Sequence, residues 1–265
     1  MPIQDVLVSA VFAGVLASLA CGLGALPLLI RRFDPARHRG LGYAVAGGLV
    51  FSASVYNLIL PGLGTATGGW SLRDVAPIVA GILLGAGFLA LAESRLSRHT
   101  LKRTSDSLDG WGGRIGLLVF LAMTVHSIPE GVAVGVGYAS DAVGQSHDGL
   151  GPTLAVAIAI HNIPEGLAVA IPLRSSGSSV ARCFLAAVVT SLPQPIAAVA
   201  AVPAVLLTWF FKPLMSLFMD FAAGAMIFLI ILELIPAALE TETPLRITWA
   251  FTLGFCAMLM IQVVL

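Results

Sequence analysis

The chain has 265 residues, of which 58% are hydrophobic and 11% charged, and its mean hydropathy is +0.97. A soluble domain carries about 25% charged residues, so this composition excludes an ordinary soluble fold and points to a chain immersed in lipid. Fourteen basic residues balance fourteen acidic ones, which leaves no excess charge to attract a nucleic acid.

Apolar stretches long enough to cross a bilayer recur from end to end. Eight spans are predicted, at about 5–30, 41–61, 76–93, 115–138, 152–172, 180–209, 215–237 and 246–264. The first has no basic residues ahead of it, only Asp5, and it outruns a signal-peptide core. It is therefore expected to be a retained helix. Between spans three and four, about 94–114, lies the longest internal hydrophilic stretch, read as a flexible loop. His99 and His147 read as solvated loop residues. The cysteines Cys21, Cys183 and Cys256 lie in separate apolar runs without metal-ligand spacing. They read as small buried hydrophobes. Gly14-Ser18-Gly22 and Gly81-Gly85 place small residues four apart, a pattern that lets helices approach closely. The chain reads as one transmembrane domain, 1–265, with no soluble appendage.

Orientation follows from the basic residues near the span ends. Arg31, Arg32, Arg37, Arg39, Arg95, Arg98, Lys102, Arg103, Arg114, Arg174, Arg182 and Arg246 fall on one side of the membrane, and only Arg73 and Lys212 on the other. With eight spans, the stretch 94–114 is then cytoplasmic and both termini are outside.

Spans four and five carry two nearly identical segments. His126-Ser-Ile-Pro-Glu130-Gly-Val-Ala-Val134 and His161-Asn-Ile-Pro-Glu165-Gly-Leu-Ala-Val169 agree at seven of nine positions. Each puts an imidazole and a carboxylate at i and i+4, on one helical face. Ionisable residues in lipid cost free energy and mark functional sites. Spans joined by a short loop run antiparallel, so the motif is presented once in each direction. An inverted pair related by an axis in the membrane plane would bring both copies together at mid-depth, where transporters place their substrate. The fold expected is all-α, with eight transmembrane helices of inverted-repeat character and a metal site at mid-membrane between helices four and five. His126, Glu130, His161 and Glu165 would form an N2O2 set suited to Zn(II), and also to Fe(II), Mn(II), Co(II) or Ni(II). Two buried carboxylates around a divalent cation are neutralised together. Pro129 and Pro164 leave the Val125 and Ile160 carbonyls without their usual donors, and these oxygens could face a water-filled path.

Other spans add polar residues. Thr190-Ser-Leu-Pro193-Gln194-Pro195 breaks span six and would aim Gln194 inward. Glu233 lies in span seven, three residues before Pro236. Helix–helix hydrogen bonding is the other reading for Gln194, and snorkelling to the interface for Glu233. Asn57 and Asp220 are weaker candidates.

At these residues the chain resembles the ZIP (Zrt/Irt-like) family of metal-ion transporters. His161-Asn162-Ile163-Pro164-Glu165-Gly166 is similar to that family's signature helix, and His126 to Gly131 to its partner. The resemblance implies a transporter of divalent transition metals into the cytoplasm, with zinc foremost, and not an enzyme. The metal is then transported substrate rather than cofactor, and no catalytic residue is assigned. It implies a metal set of His126, Glu130, His161 and Glu165 with Asn162 and Gln194 beside them, and Glu233 joins the metal candidates as a third carboxylate within the hydrocarbon rather than through the resemblance. It also implies a multi-pass protein, placed here in the cell membrane, often working as a homodimer. Many members hold a second metal with a Glu on span six and an Asn or Asp after the first motif histidine. Here Gln194 and Ser127 stand in those places, so one strong site is expected. The third loop lacks the histidine run that many members have. Two other readings stay open on the residues alone. One is an intramembrane zinc-dependent hydrolase, with water at an open position. The other is a metal-dependent receptor or scaffold.

Overall fold

A computed structural model describes residues 2–30, 35–63, 71–99, 113–142, 149–205 and 211–264. These residues are helical throughout, apart from short turns. We number the helices by span: α1 (Ile3–Leu23), α2 (Pro35–Ala53), α3 (Leu72–His99), α4 (Gly113–Ala142), α5 (Leu150–Ser175), α6 (Val180–Ser191 and Pro193–Val205), α7 (Phe211–Leu229) and α8 (Pro244–Val264). A 3₁₀ turn, Leu26–Leu29, follows α1. Both α2 and α7 run on through a π-helical turn, Ser54–Ile59 and Ile230–Leu234, before resuming α-helix.

Among the described residues, seven helices are long and apolar enough to cross a membrane. The exception is α2, whose first turn is Pro35-Ala-Arg-His-Arg and whose apolar run is divided by the π turn. It packs lengthwise against α8, itself one of the seven. Four pairs of parallel helices come close at glycines, beside antiparallel approaches at Gly14 (α1 to α6) and at Gly137 and Gly151 (α4 to α5). Gly24 and Gly166 bring α1 against α5, and Gly48 and Gly254 bring α2 against α8. Gly81, Gly85 and Gly224 join α3 to α7, and Gly131 and Gly135 join α4 to α6. In eight alternating spans, one/five, two/eight, three/seven and four/six are all same-direction pairs. Glycine serves here because, with no hydrophobic force between helices in lipid, close van der Waals contact must hold them.

The pairings also carry the inverted repeat. Exchanging spans one, two and three with six, seven and eight, and span four with five, maps α1/α5 onto α6/α4. It maps α2/α8 onto α7/α3, and it maps one π turn onto the other. The α4–α5 pair itself is antiparallel: Asp141, near the end of α4, accepts from the Leu150 and Gly151 amides at the start of α5.

Two details differ from the sequence expectation. α3 continues to His99 rather than stopping near 93, because Glu93-Ser-Arg-Leu-Ser-Arg can continue a helix beyond the apolar run. The predicted loop is correspondingly shorter, and its residues 100–112, like His147, lie outside the described residues.

Packing at Gly166 is the least forgiving of these contacts. A Cβ there would strike the Cys21 backbone, with its carbonyl carbon only 2.7 Å away. Backbone cannot rotate aside, so Gly166→Ala is expected to destabilise the protein by about 1–3 kcal/mol. Gly87→Ala, where nothing lies within 4 Å, is the control and should leave the melting temperature unchanged. Thermal unfolding of both variants in detergent checks this, and equal melting temperatures would contradict the packing described.

Candidate metal centre

The two motif copies meet between α4 and α5. His126 Nε2 lies 2.9 Å from Glu165 Oε1 and 3.2 Å from Glu130 Oε1. His161 Nε2 lies 3.0 Å from Glu130 Oε1. Each histidine thus reaches the other copy's glutamate, which only antiparallel helices with matched motifs allow. Ligand atoms of His126, Glu130 and Glu165 all lie within 4.8 Å of one another, a grouping that could hold a metal ion. All four side chains are buried.

The helix break in α6 supplies the next layer. Pro195 has no N–H, so the Ser191 carbonyl loses its normal i+4 donor. Ser18 on α1 donates to it at 2.7 Å. On the opposite helix the Ser127 hydroxyl lies 3.0 Å from the Thr190 carbonyl and 2.9 Å from that of Met123. Ser127 therefore ties α4 to the break. Leu192 turns back to the Val189 carbonyl, replacing the bond that Pro193 cannot make. The break leaves Gln194 fully buried with its amide against Glu130. Asn162 donates to Gln194 Oε1 and to the Ala17 carbonyl, both at 3.0 Å.

A cavity of about 310 Å³ ends on the four motif residues. Its walls come from the ends of helices on one side: Tyr56 and Leu58 on the π turn after α2, Leu154 and Ile158 in early α5, Met219 in early α7, and Met258 and Gln262 in late α8. Toward the opposite side a tight apolar cluster fills the bundle, including Leu28, Tyr43, Leu118, Ile171, Met226 and Leu234. The site is therefore reached from the side of the 143–148 connection and sealed from the side of the 100–112 connection.

The remaining sequence candidates fall elsewhere. Glu233 is buried in the π turn after α7 and does not line the cavity. Asp220 packs beside Gly81 where α3 meets α7. The side chain of Asn57 lies outside the described residues. Sequence reasoning missed Tyr56, Met219, Met258 and Gln262. An apolar or amphipathic residue in a hydrophobic run looks the same whether it faces lipid or cavity, and a π turn has no sequence signature.

The family profile described as ZIP zinc transporter matches residues 92–262. This chain belongs to the ZIP family. A relative named zinc transporter GufA, from Myxococcus xanthus, is 32% identical over 248 residues, covering 91% of this chain and 94% of that protein. Zinc transporter ZIPB of Bordetella bronchiseptica is 33% identical over 97% of this chain and 81% of its own length. Human zinc transporter ZIP11 is 41% identical over 57% of this chain, and the match spans 43% of that longer protein. The ZIP match covers both motif copies and runs from the end of α3 into the last turn of α8.

Removing the hydroxyls that serve the α6 break strips a buried carbonyl of its donor. Ser18→Ala and Ser127→Ala are each expected to lower stability by about 1–3 kcal/mol, read as melting temperature in detergent. Unchanged melting in both would mean that the break is satisfied by other groups.

Proposed function

We propose that this ZIP-family chain carries divalent transition-metal ions, zinc foremost, across a membrane into the cytoplasm. The observation that carries the reading is the convergence of two inverted His–Glu motifs at the blind end of a one-sided cavity. An ion entering the cavity would meet two imidazole nitrogens and two carboxylate oxygens, an N2O2 set that accepts zinc and its neighbours. Two carboxylates match the charge of one divalent ion, so loading neutralises the site inside the bundle. Passage then requires the apolar cluster on the far side to part while the cavity closes. The near-symmetry of the motif copies fits a site that must serve both sides in turn.

In this reading the far side is the cytoplasm, because the arginines and lysines of the chain gather there. Both termini would lie outside, the membrane is the cell membrane, and the working form is a homodimer, an expectation that rests on the family resemblance. Cysteine labelling in intact cells tests the orientation. Ser176, exposed in the turn between α5 and α6, should as Ser176→Cys resist an impermeant thiol reagent until the membrane is opened. Labelling from outside would overturn it.

The four motif residues are expected to act as one unit. His126→Ala, Glu130→Ala, His161→Ala and Glu165→Ala should each lower zinc uptake into reconstituted vesicles by about tenfold or more. Double substitutions should add little, because one loss already destroys the geometry. Near-normal flux in both His126→Ala and His161→Ala, at matched protein levels, would sink the shared-site reading.

A further inference from the structure

Glu130 presents its two oxygens to different neighbours. Oε1 faces the cluster, 3.2 Å from His126 Nε2 and 3.0 Å from His161 Nε2. Oε2 turns away and accepts a hydrogen bond from Gln194 Nε2. Gln194 and Asn162 are both fully buried. Asn162 Nδ2 donates to the Ala17 carbonyl and to Gln194 Oε1. A backbone carbonyl can only accept, so the end of Asn162 that meets Ala17 is its NH2. That same NH2 meets Gln194, so the facing end of Gln194 is its oxygen. Gln194 must then turn its NH2 on Glu130, whose carboxylate accepts. A backbone oxygen at one end and a carboxylate at the other fix the polarity of every step.

The device stands on one side of the pseudo-two-fold only. A Cβ on Gly131 would strike the Gln194 backbone, and a Cβ on Gly166 would strike that of Cys21. Cys21 thus takes on α1 the place that Gln194 takes on α6. A cysteine is shorter than a glutamine and has no amide, so the two glutamates of the site are held differently.

We propose that Asn162 and Gln194 are positioning residues, an amide ladder that commits Glu130 Oε2 and leaves a single Glu130 oxygen for the ion. The proposal rests on the transport site argued above. A carboxylate with one oxygen committed binds an ion through one oxygen rather than two. The ion is therefore held by fewer donors and released faster. The ladder is neutral, so it fills the space beside Glu130 without adding charge, and two carboxylates remain the charge matched to one ion.

The test uses Co²⁺ absorption of the full chain in detergent, with zinc uptake by vesicles. Gln194→Met keeps the length of the side chain and removes both polar ends. Released, Glu130 should bind through both oxygens and raise the coordination number, and the visible Co²⁺ bands should weaken by about twofold or more, since four-coordinate Co²⁺ absorbs more strongly than higher-coordinate Co²⁺. KM and Vmax for zinc should both fall by about threefold or more. Asn162→Leu frees Gln194 to turn, so it should shift the bands the same way, and the double variant should go no further. A role in helix packing alone would lower the yield and leave bands and KM unchanged, and that result overturns the proposal. A KM that rises about tenfold also overturns it, because Gln194 would then be an ion ligand. Co²⁺ bands that survive His126→Ala with His161→Ala would instead sink the site itself, and the ladder with it.

Discussion

A carboxylate carried into a lipid-embedded bundle must be hydrogen-bonded or neutralised, and this chain carries two of them, Glu130 and Glu165, to one place. The polar architecture around them follows from that demand. Each glutamate faces an imidazole of the other motif copy, at 2.9 Å for His126–Glu165 and 3.0 Å for His161–Glu130. Crossed pairing of this kind needs α4 and α5 antiparallel and in register, and the Asp141 contacts to the Leu150 and Gly151 amides pin their joined ends. The glycines at Gly131 and Gly166 then let α6 and α1 close on the motif helices from either side.

Backbone polarity adds a second layer to the same problem. Pro195 frees a carbonyl in the break of α6, and that oxygen lies where water is scarce. Ser18, from a helix far away in sequence, answers it. Asn162 answers the Ala17 carbonyl, and Ser127 that of Thr190, two contacts that exchange under the pseudo-two-fold. Symmetry therefore extends beyond the motif to the groups that hold it. It fails at Gln194 and Cys21, where function has room to treat the two halves differently.

Much of this was legible in the sequence. Each of the eight apolar runs contains a helix among the described residues, seven of them long and apolar enough to cross a bilayer, and the repeated His–Glu pair marks the place where α4 and α5 bring imidazoles and carboxylates together. The prolines on either side of Gln194 predict an inward-facing amide, and the amide is buried against Glu130. Its partners were beyond reach, since a contact between residues 32 apart and another 64 apart leaves no periodicity to read. The cavity wall was equally hidden. Tyr56 reaches it from a π turn, and nothing in Ser54–Ile59 distinguishes that turn from plain helix. Charge and depth alone group Glu233 with the site, yet it lies in the π turn after α7 and is not among the residues that line the cavity.

The central claim is that one divalent ion is shared by the imidazoles and carboxylates of both motif copies. X-ray absorption of the zinc-loaded full chain measures this most directly. The account predicts one zinc per chain with two imidazole nitrogens at about 2.0–2.1 Å, oxygen donors at about 2.0–2.2 Å and no sulfur. A sulfur shell, or scattering from fewer than two imidazoles, would contradict it.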